Sequence, residues 1–257
     1  MNKNKLGTIA AIGVVAVLMI LKDSNENPPP QSPVPSSQSR KAVVTNLIPD
    51  GPWPPAIQEA NVLMEADPVL TNYYVIFDAS GSMNELVAQQ LPKIEAGKQA
   101  LVTFANNLPE DANLGLLTFD PVRELLPLGR GNRQAFIGSV SQIRAKGRTP
   151  LVESIVTGYR VLTEQAQRQS GYGRYVLVIV TDGASSDGNP AGVAMEVTRE
   201  SPIEVQTIGF GVADHALNLP GVTQYVTASS PKALIDALNQ VIASESESFI
   251  DPSDFQN

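Results

Sequence analysis

The chain has 257 residues, 42% of them apolar, which is enough for one ordinary folded domain with appendages. It has no cysteine and one histidine, His215, so a disulfide framework, a thiolate zinc site and a thiol nucleophile are excluded, and Ser-His-Asp chemistry is hard to build. A formal charge of −8 argues against nucleic acid as a general partner, because phosphate binding needs a basic surface.

Lys3 and Lys5 precede an uncharged apolar run over residues 6–21. As a helix this run would span about 24 Å, slightly short of the ~30 Å hydrocarbon core. It reads as an uncleaved signal anchor over 1–22, because Met19-Ile20-Leu21-Lys22-Asp23 lacks the small residues of a cleavage site. The positive N-terminus favours a single-pass topology, with the N-terminus cytoplasmic and the body exported to the periplasm or the exterior. Secretion after signal cleavage is the alternative. Residues 23–54 form a Pro/Ser-rich linker, whose composition cannot offset its ordering entropy by burial. A short helical arm is expected over 55–70, opened by Pro54-Pro55, and Trp53, the only tryptophan, should pack on the domain.

From Thr71 short apolar runs alternate with helical periodicity. Residues 73–77 read as a strand ending at Asp78, followed by a helical stretch over about 84–107 with a possible break at Pro92. Residues 114–119 and 122–126 read as neighbouring strands, the second an antiparallel edge. Asn132 should cap a helix reaching about Ala145, and Pro150 should open another in which Leu151, Ile155, Tyr159 and Leu162 share a face. The strongest strand is YVLVIVT, ending at Asp182; then come a helix near 190–200, strands over 203–211 and 224–227, and a last helix from Pro231 to about Ala243. This alternation predicts an α/β fold: a doubly wound, mostly parallel sheet flanked by helices over 71–243. The fully apolar strands belong at its centre. The acidic tail over 244–257 is expected to be disordered, with Phe249 and Phe255 as conceivable docking residues.

In open parallel sheets the ligand crevice lies beyond the carboxyl ends of the strands, where Asp78 and Asp182 both fall. Asp78-Ala79-Ser80-Gly81-Ser82 offers a carboxylate and two hydroxyls, with Gly81 permitting a sharp bend. Thr149, before Pro150, adds a hydroxyl, and Thr181-Asp182-Gly183 adds a second carboxylate. A hard cation such as magnesium prefers such an oxygen set. Each residue also has a plain structural reading: Asp78 bonding within its own turn, Ser80 and Ser82 capping a helix, Thr149 as an N-cap, Asp182-Gly183 as a turn. Coincidence of all five is the less economical account.

The DASGS segment, the threonine before Pro-Leu and the strand-ending TDG together resemble the three-part metal-ion-dependent adhesion site of von Willebrand factor type A (VWA) domains, over residues 71–243. The resemblance implies that Ser80, Ser82 and Thr149 supply hydroxyl ligands, while Asp78 and Asp182 hold the ion directly or through water. The ion is expected to be magnesium, with manganese or calcium as alternatives. An Asp or Glu of a protein partner would complete its shell. Arg123, Arg130, Arg133, Arg144, Lys146 and Arg148 oppose only Glu124 between 123 and 148, and Arg144, Lys146 and Arg148 lead into the Thr149 loop as a candidate basic rim. Asp120 and Asp187 read as turn residues that could also stand near the site, and His215 is assigned no role.

The leading reading is therefore a membrane-tethered interaction module rather than an enzyme. An accessory VWA subunit of a metal-dependent enzyme or chaperone assembly is the alternative. A metal-dependent hydrolase ranks below both, for want of a general base and a substrate pocket.

Overall fold

The computed structural model describes residues 47–57, 63–88, 91–119 and 121–247. The anchor over 1–22, most of the linker, residues 58–62 of the arm, Asp120 and the tail from 248 lie outside them. Among the described residues no helix is long and apolar enough to cross a membrane.

The chain runs through β1 (Thr71–Phe77), a 3-10 turn (Gly81–Asn84), β2 (Leu86–Val87), β3 (Leu91–Pro92) and α1 (Lys93–Asn107). It continues through β4 (Asn113–Thr118), β5 (Arg123–Gly129), α2 (Arg133–Gln142) and α3 (Leu151–Arg168). The last elements are β6 (Arg174–Thr181), α4 (Pro190–Glu200), β7 (Glu204–Phe210), β8 (Gln224–Ala228) and α5 (Pro231–Glu247). Six strands form one sheet in the order β5-β4-β1-β6-β7-β8, parallel throughout except that β5 runs antiparallel to β4 at the edge.

Strand pleating divides the apolar residues between two layers. Tyr73, Val75 and Phe77 of β1 and Val176, Val178 and Val180 of β6 face α1, α2 and α5. Tyr74 and Ile76, with Tyr175, Leu177 and Ile179, face α3 and α4. The runs without alternating polar residues are thus buried on both sides, as central parallel strands must be. Close approach of helix to sheet needs glycine: a Cβ on Gly97 of α1 would lie 2.4 Å from Phe77 Cζ, and one on Gly158 of α3 would lie 2.5 Å from Leu177 Cδ1.

Three expectations need correction. The stretch before Pro92 is not helical. Residues 81–84 form the 3-10 turn, and β2 and β3 pair as a small hairpin with Leu86 opposite Pro92. The spacing of Leu86, Val87 and Leu91 imitates a helical stripe, but Ala88 adopts φ 50°, which no helix continues. The arm helix is also absent from the described part of 55–70: residues 55–57 and 63–66 have no regular structure, and Leu63 is 89% exposed. Thirdly, Asn132 precedes α2 but makes no side-chain cap; its amide donates instead to Leu114 O and Pro127 O.

The arm does dock. Ile48 is fully buried, the Trp53 ring meets Tyr175 edge-on at 5.0 Å, and its indole N–H donates to Thr163 Oγ1 at 3.0 Å. Composition places these residues in the linker, yet they belong to the packed layer over α3.

Candidate metal site

β1 and β6 are adjacent and in register, Phe77 opposite Val180, so Asp78 and Asp182 leave the sheet side by side. The Asp78 N–H donates to Val180 O at 2.9 Å, extending the ladder to the first carboxylate. Asp78 is fully buried and accepts hydrogen bonds from the Ser80 N–H at 2.7 Å and the Thr181 hydroxyl at 2.7 Å. Burial pushes its carboxyl upward; the Ser80 and Thr181 bonds oppose this, the Asp182 charge adds to it, and the net shift is up.

The two serine hydroxyls meet at the second carboxylate. Ser80 Oγ lies 3.0 Å from Ser82 Oγ, which donates to Asp182 Oδ1 at 2.6 Å. A Cβ on Gly183 would lie 3.8 Å from both Ser82 Oγ and Thr149 Oγ1, which brings the threonine to the serine side of the cluster. Backbone bonds lash the three loops together: Gly81 N to Gly147 O at 3.1 Å, Lys146 N to Ala79 O at 2.8 Å, and Ser186 N to Thr149 O at 2.9 Å. The structure therefore gathers all the sequence-selected oxygens, Asp78, Ser80, Ser82, Thr149 and Asp182, at one sheet end. The capping role open to Ser80 is not used, and Pro150, not Thr149, occupies the N-cap position of α3.

As a donor set these oxygens suit a hard cation: two carboxylates, three hydroxyls, no sulfur and no ring nitrogen. Among the described residues no three His, Cys, Asp or Glu side chains group together, so hydroxyls carry much of the donor character.

Three contributors escaped the sequence reading, and a fourth, Asp187, was expected only as a turn residue that could stand near the site. Lys93, at the first position of α1 and 6% exposed, donates to Asp182 Oδ2 at 2.9 Å and to Glu85 Oε2 at 2.9 Å. Burial would push its ammonium down, but the two carboxylates outweigh that and the net shift is up. Thr181 bonds Asp78, as described. His215 Nδ1 accepts from the Leu217 N–H at 3.1 Å, which leaves Nε2 to donate to Gly183 O at 2.6 Å. Asp187 accepts from the Val152 and Glu153 N–H groups at 3.1 and 2.9 Å, so it caps α3 from another loop. Burial would push its carboxyl up, but the Glu153 N–H, the Ser185 hydroxyl and the Val152 N–H together hold it below the usual value. A lysine opening a helix, against the helix dipole, is a legible oddity. For His215 no local signal exists.

The basic residues divide. The Lys146 backbone joins the site loops, whereas the Arg133 guanidinium donates to Leu108 O and Pro109 O beyond the far end of α1. That 15-residue helix begins at Lys93 beside the site, so Arg133 stands roughly 22 Å away.

The family model for the von Willebrand factor type A domain matches residues 72–248. YwmD of Bacillus subtilis, an uncharacterized protein, is 26% identical over 157 residues, covering 54% of this chain and 68% of its own. The crystal structure of BatB from Bacteroides thetaiotaomicron, a conserved hypothetical protein, superposes with a TM-score of 0.57 at 19% identity, over 68% of this chain and 98% of that one. An aerotolerance-related membrane protein from Bacteroides fragilis superposes with a TM-score of 0.53 at 16% identity, over 67% and 98%. Those two structures share the fold. The family match spans well over half the sequence and both strands that carry the clustered carboxylates, so this chain belongs to the von Willebrand factor type A domain family.

Proposed function

We propose that this protein is a membrane-tethered, non-catalytic interaction module. It binds one divalent cation, magnesium, through Asp78, Ser80, Ser82, Thr149 and Asp182, and uses it to capture an Asp or Glu side chain of a protein partner. The observation that carries this reading is the chain of contacts from Ser80 Oγ to Ser82 Oγ to Asp182 Oδ1, at 3.0 and 2.6 Å, on loops tied by backbone hydrogen bonds. When bound, the ion supplies an electrophilic point for an anionic oxygen. The protein's own groups do the rest: Thr181 and the Ser80 N–H orient Asp78, and Lys93 orients Asp182.

Other features support the reading. Arg144 and Arg148 flank in sequence the loop that reaches Gly81 and add positive charge there, the Arg144 guanidinium donating to Ser141 O and Ile143 O at 2.9 Å. The sole histidine has both ring nitrogens engaged with backbone, which disfavours it as a general base and with it a hydrolase. The apolar run over 6–21 supports tethering and export of the domain, and a structural neighbour is described as an aerotolerance-related membrane protein.

Thermal unfolding of the full chain with magnesium and with chelator tests the metal. At ten times its dissociation constant magnesium should stabilise the fold by about 1.4 kcal/mol, a rise of roughly 3–6 °C in Tm. Asp78→Ala should lose that rise and also lose magnesium-dependent capture of partners. Equal shifts in both proteins, or capture indifferent to chelator, would remove the adhesion-site mechanism.

A further inference from the structure

Lys93 is placed against three ordinary preferences. It is a lysine with 6% exposure, it opens α1 where the half-positive helix terminus repels an ammonium, and its stem passes close over the backbone of a glycine. Gly211 supplies that passage: its φ is +72°, and a Cβ there would lie 3.0 Å from Lys93 Cε. The backbone N–H of Lys93 is itself fixed, donating to Glu85 O at 2.8 Å. The result delivers Nζ to Asp182 Oδ2 at 2.9 Å, while Asp182 Oδ1 takes the Ser82 hydroxyl. Asp182 has a side-chain relative exposure of 0%, so water contributes little to its solvation. Glu85, which shares Nζ, is 68% exposed and its charge is largely screened.

We propose that Lys93 is the resident counter-cation of the metal site. It neutralises Asp182 and keeps it aligned when no divalent ion is bound, and it competes with the ion for that carboxylate, holding metal affinity low. Two buried carboxylates and one ammonium leave the pocket with a formal charge of about −1 rather than −2. A bound divalent ion then keeps more of its own charge for an external carboxylate. This rests on the metal-site reading above and names the residue that tunes it.

Removing the ammonium should strengthen metal binding, the opposite of what loss of a merely structural ion pair would do. Magnesium is titrated calorimetrically into the full-length wild-type, Lys93→Met and Lys93→Arg proteins, with unfolding followed by circular dichroism in parallel. Lys93→Met is expected to bind magnesium roughly tenfold or more tightly than wild type, as loss of one positive charge a few ångströms from the ion implies. Lys93→Arg, which keeps the charge, should remain near wild type. If Lys93→Met is unfolded without metal, magnesium should restore its fold, since the ion replaces the missing charge. An unchanged or weaker affinity in folded Lys93→Met would overturn the proposal, as would a variant that stays unfolded at saturating magnesium. If the wild type itself binds no magnesium, the metal-site reading fails, an outcome distinct from failure of the lysine's role.

Discussion

At Asp78 two demands oppose each other. A carboxylate that ends a central strand is buried completely, and its ionised form is disfavoured by desolvation and by the charge of Asp182. Two strong hydrogen bonds compensate only in part. The sign follows: because the folded carboxyl is raised above its ordinary 3.8, the ionised group destabilises the metal-free fold at neutral pH, and this penalty is relieved as pH falls toward the folded value. Asp78→Asn keeps the shape and removes the charge, so in chelator it should melt a few degrees above wild type. In saturating magnesium the order should invert, because only the wild type gains the ion. Scanning calorimetry in the two buffers reads both.

At the scale of elements, the helices approach the sheet through glycines, and Gly97 carries the tightest contact. α1 supplies one side of the core with Ile94, Ala100, Leu101 and Phe104, and Gly97 lies where the Phe77 ring crosses the helix. That ring is fully buried. Gly97→Ala gains helix propensity worth about 1 kcal/mol, but a contact at 2.4 Å must be relieved by shifting α1. A net loss of about 1–2 kcal/mol is expected in urea unfolding, as in other overpacked cores. A shift of α1 would also move Lys93 at its head, so helix packing and site geometry are mechanically linked. The hairpin of β2 and β3 does the same work at the other end of that link, carrying the chain from the Ser82 turn back to Lys93 through the pairing of Leu86 with Pro92.

Across the whole molecule, the arm from Leu47 to Pro55 closes the α3 side of the sandwich. Trp53 is the only tryptophan, so its fluorescence reports that docking without interference. Its ring stacks edge-on against Tyr175 of a central strand and its N–H is held by Thr163. Fluorescence and far-ultraviolet circular dichroism should therefore give coincident unfolding transitions. A fluorescence change that precedes loss of helix would show that the arm undocks separately.

What could be read from the sequence alone is what depends on neighbours along the chain. Strand type follows from period, so the apolar runs around Val75 and Val178 announced central strands, and the polar residues directly after them, Asp78 and Asp182, fall together at the strand ends. The grouping of Ser80, Ser82 and Thr149 with those carboxylates was legible because each sits in a short segment with its own bend or strand end. Tertiary structure alone decided which distant groups serve them. Lys93 meets Asp182 across 89 positions, Asp187 caps α3 across 35, and His215 holds the Gly183 carbonyl across 32. Such pairings leave no periodic trace in the sequence, because they are selected by where sheet and helices deliver a side chain. The false helix before Pro92 has the same cause in reverse: a local spacing of apolar residues was overruled by a long-range demand, the return of the chain from the Ser82 turn to the head of α1.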